Sequence, residues 1–190
     1  MHMVWAAIMT GFVAGVVHVL SGPDHLAAVA PLAMDRGTRA WRTGLQWGLG
    51  HCAGVLLIGV LALLFREMLP LDSLSSWSER LVGLLLIGVG AWGLCKTLTA
   101  RTEQPPKAAL IVGTVHGLAG SSHLLGVLPA LLFPGPIAVC GYFIAFGAGT
   151  IAAMIAFSSI SALAPPRMHR VAMTACSTAA VVIGCYWLIT

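Results

Sequence analysis

Long apolar stretches separated by short polar ones divide the chain into six segments, at about 3–20, 43–65, 80–99, 108–120, 136–163 and 171–189. A helix crosses about 30 Å of hydrocarbon with about 20 apolar residues, which is the scale of these runs. Two shorter apolar pieces, 23–34 and 121–133, follow the first and fourth segments. As helices they would rise only about 18 to 20 Å, too little to cross alone. Each comes after a glycine-containing break, Ser21-Gly22-Pro23 and Gly120-Ser121-Ser122, so the first and fourth elements read as broken or re-entrant helices.

Composition moves this pattern from water into lipid. With 58% hydrophobic and 8% charged residues, the chain lacks the polar surface a soluble domain of 190 residues would show. The expected fold class is all-α, a polytopic membrane protein whose helices satisfy their own backbone groups. Met1 to Leu20 lacks a basic leader and a small-residue cleavage site, and reads as a retained first helix. With six spans, one face collects Arg36, Arg39, Arg42, Lys96, Arg101, Lys107, Arg167 and Arg170, and the other only Arg66 and Arg80. Basic residues gather in cytoplasmic loops, so both termini are expected outside the cytoplasm, in a bacterial plasma membrane.

The polar linker 100–107, with Pro105 and Pro106, divides the chain into segments 1–99 and 108–190, and the second repeats the first. His18 to Pro31 aligns without a gap on His116 to Pro129, matching His18/His116, Leu20/Leu118, Gly22/Gly120, His25/His123, Leu26/Leu124, Val29/Val127 and Pro31/Pro129. Apolar bias accounts for leucines and glycines, but not for two histidine pairs and a proline. Gly48-Leu49-Gly50-His51 likewise corresponds to Gly147-Ala148-Gly149-Thr150. Three spans per half is an odd number, so the halves enter the membrane in opposite senses, as a 3+3 inverted repeat of the kind secondary transporters use.

His18, His25, His51, His116 and His123 fall in apolar segments, and Asp24 is the intramembrane acid. An ionisable group at that depth costs several kcal/mol unless it is paired or solvated, which makes it functional by default. Pro23 suits the first position of a restarted helix and Asp24 its first turn, setting Asp24 and His25 at a half-helix N-terminus near mid-membrane. Imidazole with carboxylate suits a divalent first-row ion such as Ni²⁺, Co²⁺ or Zn²⁺, whereas Mg²⁺ or Ca²⁺ calls for several oxygens. His18, Asp24, His25 and His51 form the expected main site. His116 and His123, beside Ser122 and Thr150, form a weaker second site or relay. Met1-His2 offers a separate chelate of amine, amide and imidazole for a square-planar ion.

The run His18-Val-Leu-Ser-Gly-Pro-Asp24-His25 followed by Leu49-Gly50-His51 resembles the signature of the nickel/cobalt transporter family, and within it the shorter urease-accessory branch. Five residues separate His18 from Asp24, where the main family has four, and six spans replace its eight. The resemblance implies a secondary permease with nickel or cobalt as transported cargo and no permanent cofactor. No enzyme activity is expected, since neither a GxxxxGK[ST] loop nor HExxH occurs. Expected partners are the ion and the bilayer, without nucleic acid; an oligomer or an energising partner stays open. Two alternatives remain, a haem-carrying electron-transfer protein with paired histidine ligands and a six-span thiol redox carrier. The five cysteines, with no CxxC, read as packing residues, and the tryptophans as an interfacial belt.

Overall fold

The computed structural model describes residues 1–64, 71–99, 107–119 and 128–189, which are almost wholly helical. Helix α1 (His2–Ser21) stops at Gly22, whose extended backbone (φ −91°, ψ 100°) redirects the chain into α2 (Pro23–Arg36). Proline at the first helical position loses no hydrogen bond and presets φ, so Gly22-Pro23 encodes both the stop and the restart. A 3-10 turn, Gly37–Arg39, leads to α3 (Ala40–Leu64), α4 (Leu71–Thr99) and α5 (Ala108–Leu118). A second 3-10 turn, Leu128–Leu132, precedes α6 (Pro136–Ser161) and α7 (Pro166–Ile189).

Helix α5 ends as α1 does, on an extended residue, Ala119 (φ −74°, ψ 90°). The piece expected at 121–133 lies largely outside the described residues, and its described end is a 3-10 turn, cut short by Pro134 and Gly135. Helix α4 begins at Leu71 rather than 80, because a hydropathy run marks the length that lipid can cover and not the full length of a helix.

Among the described residues, four helical stretches, His2–Ser21, Glu79–Thr99, Pro136–Ser161 and Met168–Ile189, are long and apolar enough to cross a membrane. Val13, Leu56, Ile144, Ile160 and Val182 turn large apolar side chains outward, a surface that suits lipid. The chain is an all-helical, multi-pass membrane protein.

Glycines decide which helices pair. A Cβ on Gly11 or Gly15 would overlap the carbonyl oxygen of Tyr142 or Phe146, so α1 runs parallel to α6 in backbone contact. Gly113 and Gly117 meet the carbonyls of Trp47 and His51, and Gly50 and Gly54 those of Leu110 and Thr114, so α5 runs parallel to α3. Between α3 and α6 the order reverses, with Gly44 against Met154 and Gly48 against Ile151. Helices α4 and α7 are also antiparallel, joined at Gly83 with Gly184 and Gly90 with Ser177. Lipid gives helices no hydrophobic reason to associate, so close backbone approach and van der Waals packing take that part.

Helix α2 lies inside this frame, against α3, α4, α6 and α7. Every residue from Ala27 to Met34 is buried, as are Asp24 and His25. Its far end is tied down: Asp35 pairs with the Lys96 ammonium of α4, and the Met34 carbonyl accepts from His169 Nε2 of α7 at 3.2 Å. A short helix held by polar contacts at its last turn therefore presents its first turn to the centre of the bundle.

Candidate metal centre

The restart at Pro23 sets Asp24 and His25 in the first turn of α2, facing the last turn of α1 and the middle of α3. Gly22 is required there, because a Cβ would collide with the His25 ring and come within 3.0 Å of the Asp24 carboxylate. His25 is the hub. Its ring centroid lies 4.9 Å from that of His18, 5.4 Å from His51 and 4.7 Å from His116. His18 and His51 are 5.6 Å apart.

Asp24 joins the cluster across the repeat. Its Oδ2 accepts from His116 Nε2 at 2.9 Å, and its Oδ1 lies 3.3 Å from His25 Nδ1. Among the described residues two overlapping triads result, His18/His25/His51 and Asp24/His25/His116, each with its possible ligand atoms within 4.8 Å of one another. Both share His25. One triad is all imidazole and the other mixes nitrogen with a carboxylate oxygen, donors that suit divalent first-row ions.

The structure brings His18, Asp24, His25 and His51 together. His116, expected with His123 in a weaker second site or relay, sits against Asp24 and His25, because α5 packs parallel to α3 and delivers its last turn to the centre. His123 and Ser122 lie outside the described residues. Thr150, which replaces the third histidine, is fully buried and donates to the Gly15 carbonyl at 3.5 Å. His2 is exposed at the opposite end of α1, sixteen residues and so about 24 Å of helix from His18, too far to share an ion with the cluster.

Trp47 is the member that reading by composition missed. Assigned to an interfacial belt, it is instead fully buried, with its indole stacked on His51 at 4.7 Å and planes 10° apart. A signal was available, since residue 47 is four before His51 and so shares its face of α3. The alternatives fare poorly by geometry. Imidazoles in direct contact with one another cannot hold a porphyrin between them, and the five cysteines are all free thiols spread over four helices.

Comparison with known proteins adds relatives of several kinds. The chain is 41% and 38% identical to the proteins named Chloroplast protein FOR GROWTH AND FERTILITY 2 and 1 of Arabidopsis thaliana, over 76% and 79% of its own length. It spans about half of each, 44% and 48%. It is 29% identical to the urease accessory protein UreH of Bacillus sp. (strain TB-90), over 79% of this chain and 73% of that one. A candidate nickel/cobalt efflux system of Methanocaldococcus jannaschii is 28% identical over 63% of the chain and 58% of its own length. No family model matches, and no solved structure matches. With UreH and the candidate efflux system among its homologues, the chain finds its resemblance to the urease-accessory branch of the nickel/cobalt transporter family supported across most of its length.

Proposed function

We propose that the chain is a secondary permease carrying a divalent transition-metal ion, Ni²⁺ or Co²⁺, across a membrane through the His18/Asp24/His25/His51/His116 cluster. His123 belongs to the same proposal by its place in the repeat. The observation that carries it is the Asp24 carboxylate, buried at a helix break among four imidazoles. A desolvated acid with no role in such a place would be expensive, and a cation offsets that cost. The name of the candidate nickel/cobalt efflux system favours these two metals.

The 3+3 inverted repeat belongs to the same reading, with halves 1–99 and 108–190 about the linker 100–107, and matched contacts support it. Gly15 against the Phe146 carbonyl corresponds to Gly113 against that of Trp47. Gly149 against Phe12 corresponds to Gly50 against Leu110. Because α1 packs on α6 and α5 on α3, the halves interleave, and rocking one half against the other would part these close backbone contacts. The moving bodies are instead the pair α1/α6 and the pair α3/α5, turning about the α3/α6 crossing with the ion between His18 on one body and His51 and His116 on the other. Both termini lie outside the cytoplasm in this arrangement, and the membrane is a bacterial plasma membrane.

The test is accumulation of radiolabelled nickel and cobalt, in or out, by cells making equal amounts of the wild type or Asp24→Asn. Loss of metal movement to background in the variant is the expected result. Equal movement by both proteins would remove Asp24, and with it the proposed site.

A further inference from the structure

Trp47 stands four residues before His51 on α3 and has no exposed surface. Besides stacking on His51, its indole meets His25 edge-on at 5.4 Å and lies 5.7 Å from His116. Indole Nε1–H is a donor and nothing else, and in Trp47 it is buried with no hydrogen-bond partner among the described residues. Buried donors almost always find an acceptor, so one with no acceptor among the described residues, beside a cluster of metal-ligating groups, points to an acceptor that arrives with the ion.

The repeat separates what the ring does from what the N–H does. Phe146 occupies the matching position in the second half and lies against His18 at 5.5 Å, as Trp47 lies against His116. An aromatic wall beside an imidazole is therefore common to both halves, and a phenyl ring suffices for it. The donor is what the first half adds, on the helix that also supplies His51.

We propose that Trp47 is a positioning residue for a partly hydrated ion: its ring fixes the plane of the His51 imidazole, and its N–H donates to a solvent-derived oxygen, water or hydroxide, that the ion keeps in the site. The inference rests on the metal-site reading above. Three imidazoles around one ion leave room in its coordination shell for oxygen, and the indole fixes where that oxygen sits. Retaining one solvent oxygen also lowers the cost of stripping the ion on entry and of rehydrating it on release.

The purified wild type and the variants Trp47→Phe and Trp47→Ala, each checked for an unchanged helical spectrum, are titrated with Co²⁺ and Ni²⁺ in detergent. The Co²⁺ form of the wild type is also compared by electron paramagnetic resonance in ordinary and ¹⁷O-enriched water. Expected are ¹⁷O broadening in the wild type, binding weakened about fivefold to tenfold in Trp47→Phe, which keeps the wall and loses the donor, and a larger loss in Trp47→Ala. Binding by Trp47→Phe within twofold of the wild type, or a wild-type Co²⁺ signal unaffected by ¹⁷O, overturns the inference while leaving the metal site standing. A wild type that binds neither ion overturns both. The isotope experiment needs no variant, so a poorly folded Trp47→Phe does not shield the proposal.

Discussion

The two halves use the same packing contacts and different chemistry. Gly15 and Gly113 bring α1 and α5 against the carbonyls of Phe146 and Trp47 in matching fashion, yet those neighbours differ by an indole N–H. His51 lines the centre where its counterpart Thr150 bonds to the backbone of α1. What the comparison teaches is that matching packing contacts can persist while the polar side chains beside them differ. Close backbone packing tolerates almost no substitution, whereas a ligand position needs only to be filled by something of acceptable size.

Substituting His51→Thr, which makes the first half resemble the second at this point, breaks the comparison most severely. Affinity for Ni²⁺ should fall on the order of 100-fold or more, since the proposed ligand and the stack that it makes with Trp47 are lost together. Isothermal titration of the purified protein reads this directly, and a change under about threefold would exclude His51 as a ligand.

Next in size are the packing glycines. Gly15→Ala and Gly113→Ala each push a methyl into a backbone carbonyl, and both should destabilise the protein by about 1 to 3 kcal/mol. Gly88→Ala, with nothing within 4 Å of the added methyl, should leave the melting temperature unchanged or slightly raised. Thermal unfolding in detergent distinguishes them, and widely different losses at 15 and 113 would end the claim that these contacts are equivalent.

Thr150→Val sharpens the contrast from the other side. The long bond to Gly15 is worth about 0.6 kcal/mol, and the variant should bind metal as the wild type does. Weakened binding would make Thr150 part of the centre. Smallest of all, His2→Ala should leave nickel affinity at the centre unaltered by equilibrium dialysis, because about 24 Å of helix separates it from His18. Loss of a second, weaker binding phase in that variant is the signature of an independent chelate at the terminus.

Much of this was legible along the chain. Span lengths follow from hydropathy windows, and the break at Gly22-Pro23 from what those two residues do to a backbone. Asp24, His25, His18 and His51 announced themselves as polar groups in apolar surroundings. Trp47 did not, because tryptophan is at home both at a membrane interface and in a packed interior, and sequence position alone does not separate the two. The contact of His116 with Asp24 is not legible for a related reason: sequence matching shows which positions are equivalent, not which residues meet.

The sequence by itself determined the helical fold class, the broken first element and which residue types are able to bind a metal, since each depends on local composition or on spacing within one helix. Only the tertiary structure decided that α1 pairs with α6 and α5 with α3, that Asp24 reaches His116 across the repeat, and that Trp47 closes over His51. Those are distances between helices far apart in the chain. They are set by where small residues let backbones touch, which brings His18, His25, His51 and His116 together from four helices.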